Sequence, residues 1–221
     1  MFVDSWDQPL LRAQDEEHLR RSLRMRSGDP LSISDGNGRW SLARVGNDEL
    51  LERVGAEHQM PAPKQSAVGF SLVKGNRPEL VIQKLTELGI SDIVVLDADR
   101  SVVRWDDVKR AKVTDRWTRI IREAAMQSHR VHLPTLSGPS PAAGWLSQVD
   151  VAVADVSGRR GTITTRKVAI GPEGGWSDRE LAQASTRTVN LFDTVLRAET
   201  AAIAAGTLLS ASIRTGSSDA L

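Results

Sequence analysis

Two stretches near the C-terminus decide the reading of this chain: IGPEGGWSDREL, from Ile170 to Leu181, and VLRAETAA, from Val195 to Ala202. The first leaves an apolar strand, Lys167 to Ile170, passes a Gly-Pro-Glu-Gly-Gly turn and enters a helix. Gly171, Gly174 and Gly175 permit positive φ and let the backbone approach a ligand closely. Ser177, with Glu180 three residues on, forms a capping box that opens the helix. A second strand, Thr188 to Leu191, ends in a short loop, and another helix begins near Glu199. Two strand-loop-helix units this close predict one ligand cradle built by neighbouring loops.

The same alternation extends towards the N-terminus. Ala67 to Val73, Asp92 to Leu96 and Val149 to Ala154 read as short apolar strands. Pro78 to Leu88 reads as a helix, because Val81, Leu85 and Leu88 follow at spacings of four and three. Trp117, Ile120, Ile121 and Ala124 make one helical face. Ala201 to Leu209 is apolar almost all round, which predicts a helix buried on several sides. Strands alternating with helices predict an α/β fold with a parallel sheet. Before a boundary at Pro61 to Ser66 the character changes. Phe2 to Trp6, Leu31 to Ser34, Arg39 to Val45 and Glu49 to Val54 read as strands, and Asp35-Gly36-Asn37-Gly38 reads as a hairpin turn. Asp15 caps a short helix that runs to about Arg24. Residues 1–66 therefore read as a small, mostly β domain and 67–221 as an α/β domain.

Composition excludes several classes. The chain has no cysteine, which removes disulfides and thiolate chemistry and fits a cytoplasmic protein. No apolar run approaches the ~20 residues of a membrane span, and the first residues are acidic and polar where a signal peptide would be apolar. The four histidines show no metal-ligand spacing, so no metal is expected. A net charge of +1 gives no whole-chain attraction to nucleic acid, so any RNA affinity must come from local clusters.

The two C-terminal segments resemble the RsmE family of ribosomal RNA methyltransferases, of the SPOUT superfamily. HLRRSLRMRSGD (His18 to Asp29), KGNRPELVIQKLTELGI (Lys74 to Ile90), RSVVRW (Arg100 to Trp105) and RWTRIIREAAMQSHRVHLP (Arg116 to Pro134) are similar to further family segments, in family order and across most of the chain. The resemblance implies a PUA-like RNA-binding barrel followed by a SPOUT domain with a trefoil knot. It implies a homodimer. It also implies S-adenosyl-L-methionine-dependent methylation of N3 of a uridine in 16S rRNA of the small ribosomal subunit. A related activity at another position, such as a ribose 2′-hydroxyl, and a non-catalytic ribosome-assembly role stay open as alternatives. The chain departs from the family at Phe192, usually glycine, at Met126, usually glutamate, and at His129, often glycine.

Methyl transfer from a sulfonium is an in-line displacement, so the protein must align donor and acceptor. Uridine N3 must lose its proton, and the charge that develops on the ring needs a fixed cation. Arg197 is the candidate for that role; the plainer alternative is a surface arginine paired with Glu199. Gly171, Pro172, Glu173 and Gly174 are assigned to one wall of the donor pocket, and Leu191, Val195 and Leu196 to the other. Glu173 is either a general base or a group that orients its loop. RNA contacts are expected from cations: Arg20 and Arg24 on one face of the first helix, with Lys74, Arg100 and Arg130 further along.

Overall fold

The computed structural model describes residues 1–11, 15, 19, 21, 24–46, 51–72, 77–103, 107–184 and 187–215. Backbone contacts divide them into two units. One is Met1–Pro63 with Ala125–Leu133; the other is Lys64–Ala124 with Pro134–Leu221.

The first unit is built on an antiparallel sheet. Strand β1 (Pro30–Ser34) pairs with β2 (Arg39–Val45), and Ser34 faces Trp40 across the predicted turn. Asp35 holds that turn: its carboxylate accepts from the N–H of Asn37 at 2.7 Å and of Arg39 at 3.1 Å, and from Arg39 Nε at 3.0 Å. β3 (Leu51–Arg53) and β4 (His58–Gln59) both pair with β2. Val3, Trp6, Ile33, Ala43 and Leu51 form the core. The predicted strand at Phe2 to Trp6 is reduced to a single bridge from Phe2 to Ser34. The first predicted helix lies mostly outside the described residues. Arg24 itself has φ 52°, so it stands past any helix end rather than on a helical face.

The second unit is a six-stranded sheet in the order β10-β8-β9-β5-β6-β7, parallel throughout. Its elements are β5 (Ala67–Ser71), α1 (Arg77–Glu87), β6 (Asp92–Asp97), α2 (Asp107–Gln127), β7 (Thr135–Pro141), α3 (Ala142–Leu146), β8 (Val151–Arg160), β9 (Lys167–Ile170), α4 (Asp178–Ala184), β10 (Thr188–Asn190) and α5 (Ala198–Thr215). α2 continues into residues grouped with the first unit. The central strands read as unbroken apolar runs because both faces are covered; β5 is buried at all five positions. β7 escaped the sequence reading because its two prolines argue against a strand. It lies at the sheet edge, where a missing N–H does no harm. β8 begins at Val151 rather than Val149, which is 87% exposed.

Helix ends show the backbone chemistry plainly. α1 closes in a Schellman motif: Ile90 N–H reaches the Leu85 carbonyl, Gly89 N–H reaches Thr86, and Gly89 has φ 84°. α2 closes the same way, with Arg130 on Ala125 and His129 on Met126. There the left-handed position is His129, at φ 56°, a conformation that glycine adopts at less cost. Of the predicted α2 face, Trp117, Ile121 and Ala124 are buried. On α5, Ala202, Ala205 and Leu209 are fully buried, and the helix packs on α1, β5 and β9. Leu208 on the same helix stays 43% exposed.

Candidate active site

Among the described residues a cavity of about 480 Å³ opens at the ends of β9 and β10, beside the middle of β8. The carboxyl ends of parallel strands are where open α/β sheets bind ligands. The loop after β9 forms one wall. Its turn closes through Gly175 N–H on the Pro172 carbonyl at 2.9 Å. Gly175 is at φ 71°, a conformation costly for a residue with a Cβ. Gly171 is needed for space instead: a Cβ there would lie 3.0 Å from the Trp176 ring. Trp176 is buried beneath the loop, and its Nε1 donates to the Ala154 carbonyl of β8 at 3.1 Å.

The capping box is present and does more than cap. Glu180 accepts from Ser177 N–H at 2.8 Å, and Ser177 Oγ accepts from Glu180 N–H at 3.2 Å. Glu180 is 1% exposed, and its second oxygen takes the Asp99 N–H at 2.9 Å. Asp99 in turn takes Ser177 Oγ–H and a bidentate pair from Arg179. This network fixes the start of α4 to the loop after β6. The loop after β10 forms the opposite wall with Leu191, Phe192, Thr194, Val195 and Leu196. Asn190 ties it down by donating to the Val156 carbonyl at 3.2 Å, and Asp193 pairs with Arg160. Phe192 is half-buried and places a ring in the cavity wall where the resemblance implied a small residue.

The seven residues expected around the donor, Gly171, Pro172, Glu173, Gly174, Leu191, Val195 and Leu196, all line this one cavity. Gly174 does so without need of its glycine, since a Cβ would sit at ordinary contact, 3.5 Å from that of Arg100. Arg197 is exposed at the start of α5, between lining residues Leu196 and Ala198. It does not pair with Glu199. Glu199 faces Arg77, whose Nε lies 3.4 Å from it and whose Nη1 lies 2.7 Å from Glu173. One guanidinium, in the first turn of α1, thus bridges both loops of the cavity. Sequence reading missed this bridge, although Arg77 stands inside the quoted KGNRPE run.

Of the cations expected to meet RNA, Arg20 and Lys74 lie outside the described residues. Arg24 is exposed. Arg100 is half-exposed at the rim of the cavity, with Nη1 3.4 Å from the Gly174 carbonyl. Arg130 is half-buried in the first unit, and that burial pulls its guanidinium below its ordinary pKa. No cluster of metal-ligating side chains occurs among the described residues, and none of their helices is long and apolar enough to cross a membrane.

The family model for the RNA methyltransferase domain matches residues 60–210, more than half of the chain. The chain belongs to this family. It is 31% identical over 207 residues to the ribosomal RNA small subunit methyltransferase E of Synechocystis, a match covering 83% of this chain and 66% of that protein's length, just under two thirds. Among solved structures it resembles a methyltransferase of Legionella pneumophila with bound SAM, at TM-score 0.85 and 27% identity over 96% of both chains. It also resembles the ribosomal RNA small subunit methyltransferase E of Neisseria gonorrhoeae bound to S-adenosyl methionine. There the TM-score is 0.77 at 27% identity, covering 89% of this chain and 88% of that one.

Proposed function

We propose that this chain, as a homodimer, transfers a methyl group from S-adenosylmethionine to N3 of a uridine in 16S rRNA. Its family makes it an S-adenosylmethionine-dependent rRNA methyltransferase. The observation that carries the finer reading is the convergence of both motif loops on one cavity, with the exposed Arg197 between two of its lining residues.

The lining fits the donor. The volume is within the usual range for a small-molecule site. Leu191, Leu196 and Phe192 offer apolar walls, and the Gly171–Gly175 backbone offers polar groups without bulky side chains. S-adenosylmethionine, when bound, supplies a methyl group on a sulfonium leaving group. The chain's own residues then have three tasks. The two loops orient donor and acceptor, and they are held by Arg77, the Asp99–Glu180 network and the Arg160–Asp193 pair. Arg197, between lining residues Leu196 and Ala198, stabilises the negative charge left on the uracil ring when N3 gives its proton to solvent water. Glu173, engaged by Arg77, acts as the orienting group for its loop rather than as the base.

The finer architecture belongs to the same reading. Residues 1–66 serve as a PUA-like RNA-binding domain and 67–221 as the catalytic domain. β10 is the outermost strand beyond β8, yet α5, which follows it directly, packs on β5, β9 and α1. The chain therefore doubles back across the strand ends within residues 191–197, which supports the threading of a trefoil knot. The exposed Leu208 on the apolar helix α5 supports the homodimer, and the rRNA substrate supports a cytoplasmic location.

Mass spectrometry of digested rRNA from a deletion strain tests the position. Loss of 3-methyluridine, restored by the wild-type gene, is expected. Loss of a ribose methyl instead would overturn N3, and no change together with no S-adenosylmethionine binding by calorimetry would leave only the assembly-factor role.

A further inference from the structure

A second cavity, of about 330 Å³, lies wholly within the first unit. Its walls include Trp40 of β2, Met60, and Met126, His129 and Arg130 from the end of α2 and the turn after it. Trp40 is held rigid by stacking on His58, with ring centroids 4.4 Å apart and 21° between planes. Its floor is the apolar core at Ile33 and the buried Ser34. The Ser34 hydroxyl donates to the Val131 carbonyl, which fastens the turn after α2 to β1.

We propose that this cavity receives one unstacked base of the RNA substrate, a reading that rests on the rRNA methyltransferase assignment. The chemistry points to a base rather than to a phosphate. An aromatic wall and three methionines, Met1, Met60 and Met126, suit a flat π-system, and single-stranded RNA is recognised by splaying bases onto aromatic rings and arginine planes. One arginine, partly withdrawn from water, is a poor stand-in for the exposed cations that track a phosphate backbone, but its planar donors match the acceptors on a base edge. Burial lowers the pKa of Arg130, and a guanidinium offers several N–H donors in one plane. His129 keeps its side chain at the cavity although its φ of 56° favours glycine. Non-glycine residues held in that region mark places where the side chain is wanted.

The test measures binding of a labelled single-stranded rRNA fragment to the full chain, with abasic sites introduced one at a time. In the wild type, one abasic position should weaken binding about tenfold or more. Trp40→Ala should lose the same factor on intact RNA and show no further loss on that abasic RNA. Its logarithmic salt slope should not change, because no phosphate contact is removed. Trp40→Phe should recover most of the affinity. Arg130→Gln, which leaves the tryptophan wall in place, guards against a misfolded Trp40 variant and should also weaken binding without changing the slope. Equal abasic penalties in wild type and Trp40→Ala would overturn the pocket. So would a slope shallower by roughly 0.7 to 0.9 in Arg130→Gln, which would make that residue a phosphate contact. A wild type that binds no RNA at all would defeat the substrate reading itself, and the pocket with it.

Discussion

At the scale of single residues, position matters more than type. Gly171, Gly174 and Gly175 look alike in the sequence, yet the structure needs only the first for space and the last for its φ of 71°. Gly175→Ala should therefore lower stability by about 1 kcal/mol and weaken S-adenosylmethionine binding, while Gly174→Ala should do neither; calorimetry and thermal melts separate them. Arg197→Ala should cut single-turnover methylation about a hundredfold or more, the usual scale for losing one fixed stabilising donor, while RNA affinity changes little. If saturating RNA restores the rate, Arg197 holds substrate instead. Asp35 carries a pH dependence. Burial alone would raise its pKa, but the bonds from the Arg39 side chain and from the Asn37 and Arg39 backbone outweigh burial and hold it below the usual carboxylate range. A pKa depressed in the folded state stabilises above the unfolded value, near pH 4, and that contribution is lost as the pH falls through the folded one. Asp35→Asn should cost about 1 kcal/mol at pH 7 and less as the pH falls below about 4, as read by urea unfolding across that range.

At the scale of elements, the donor cavity depends on how loops after separate strands are tied together. α4 starts where Ser177 and Glu180 say it should, and that much was legible as a capping box. The second partner of Glu180, the Asp99 N–H, comes from 81 residues away in sequence and was not legible. The same holds for Arg77, whose partners are Glu173 in the loop after β9 and Glu199 in the first turn of α5. Arg77→Ala should raise the dissociation constant for S-adenosylmethionine about fivefold, close to 1 kcal/mol, the upper range for partly exposed pairs. Glu173→Gln should do less, because the contact with Glu199 survives. Equal affinity in wild type and Arg77→Ala would show that the loops hold their geometry without the bridge.

At the scale of the whole molecule, α5 carries the argument for assembly. On this apolar helix Ala202, Ala205 and Leu209 are buried while Leu208 is exposed, and a closed two-fold pair is the commonest homo-oligomer. Light scattering at low micromolar concentration should read about twice 24.1 kDa. Leu208→Glu should shift it towards the monomer while the circular dichroism spectrum stays unchanged. A wild-type monomer with full activity would end the dimer reading.

The sequence by itself determined the elements whose signals are local. Apolar runs marked the buried strands β5, β6 and β9, a 3.6 period marked α1 and α2, and the Asp35–Gly38 turn set the register of β1 on β2. The spacing of the GPEGG and VLR runs, both just after strands, placed all seven expected cavity residues on neighbouring loops. Tertiary structure alone decided the rest. β7 is a strand despite its prolines because it lies at an edge, and β8 runs longer than its apolar stretch because β10 pairs beyond it, opposite Arg159 and Arg160. Which cation meets which carboxylate was open as well: Glu199 takes Arg77 rather than Arg197. Such choices depend on distances between residues far apart in the chain, and those distances are fixed only when the sheet brings the strand ends side by side.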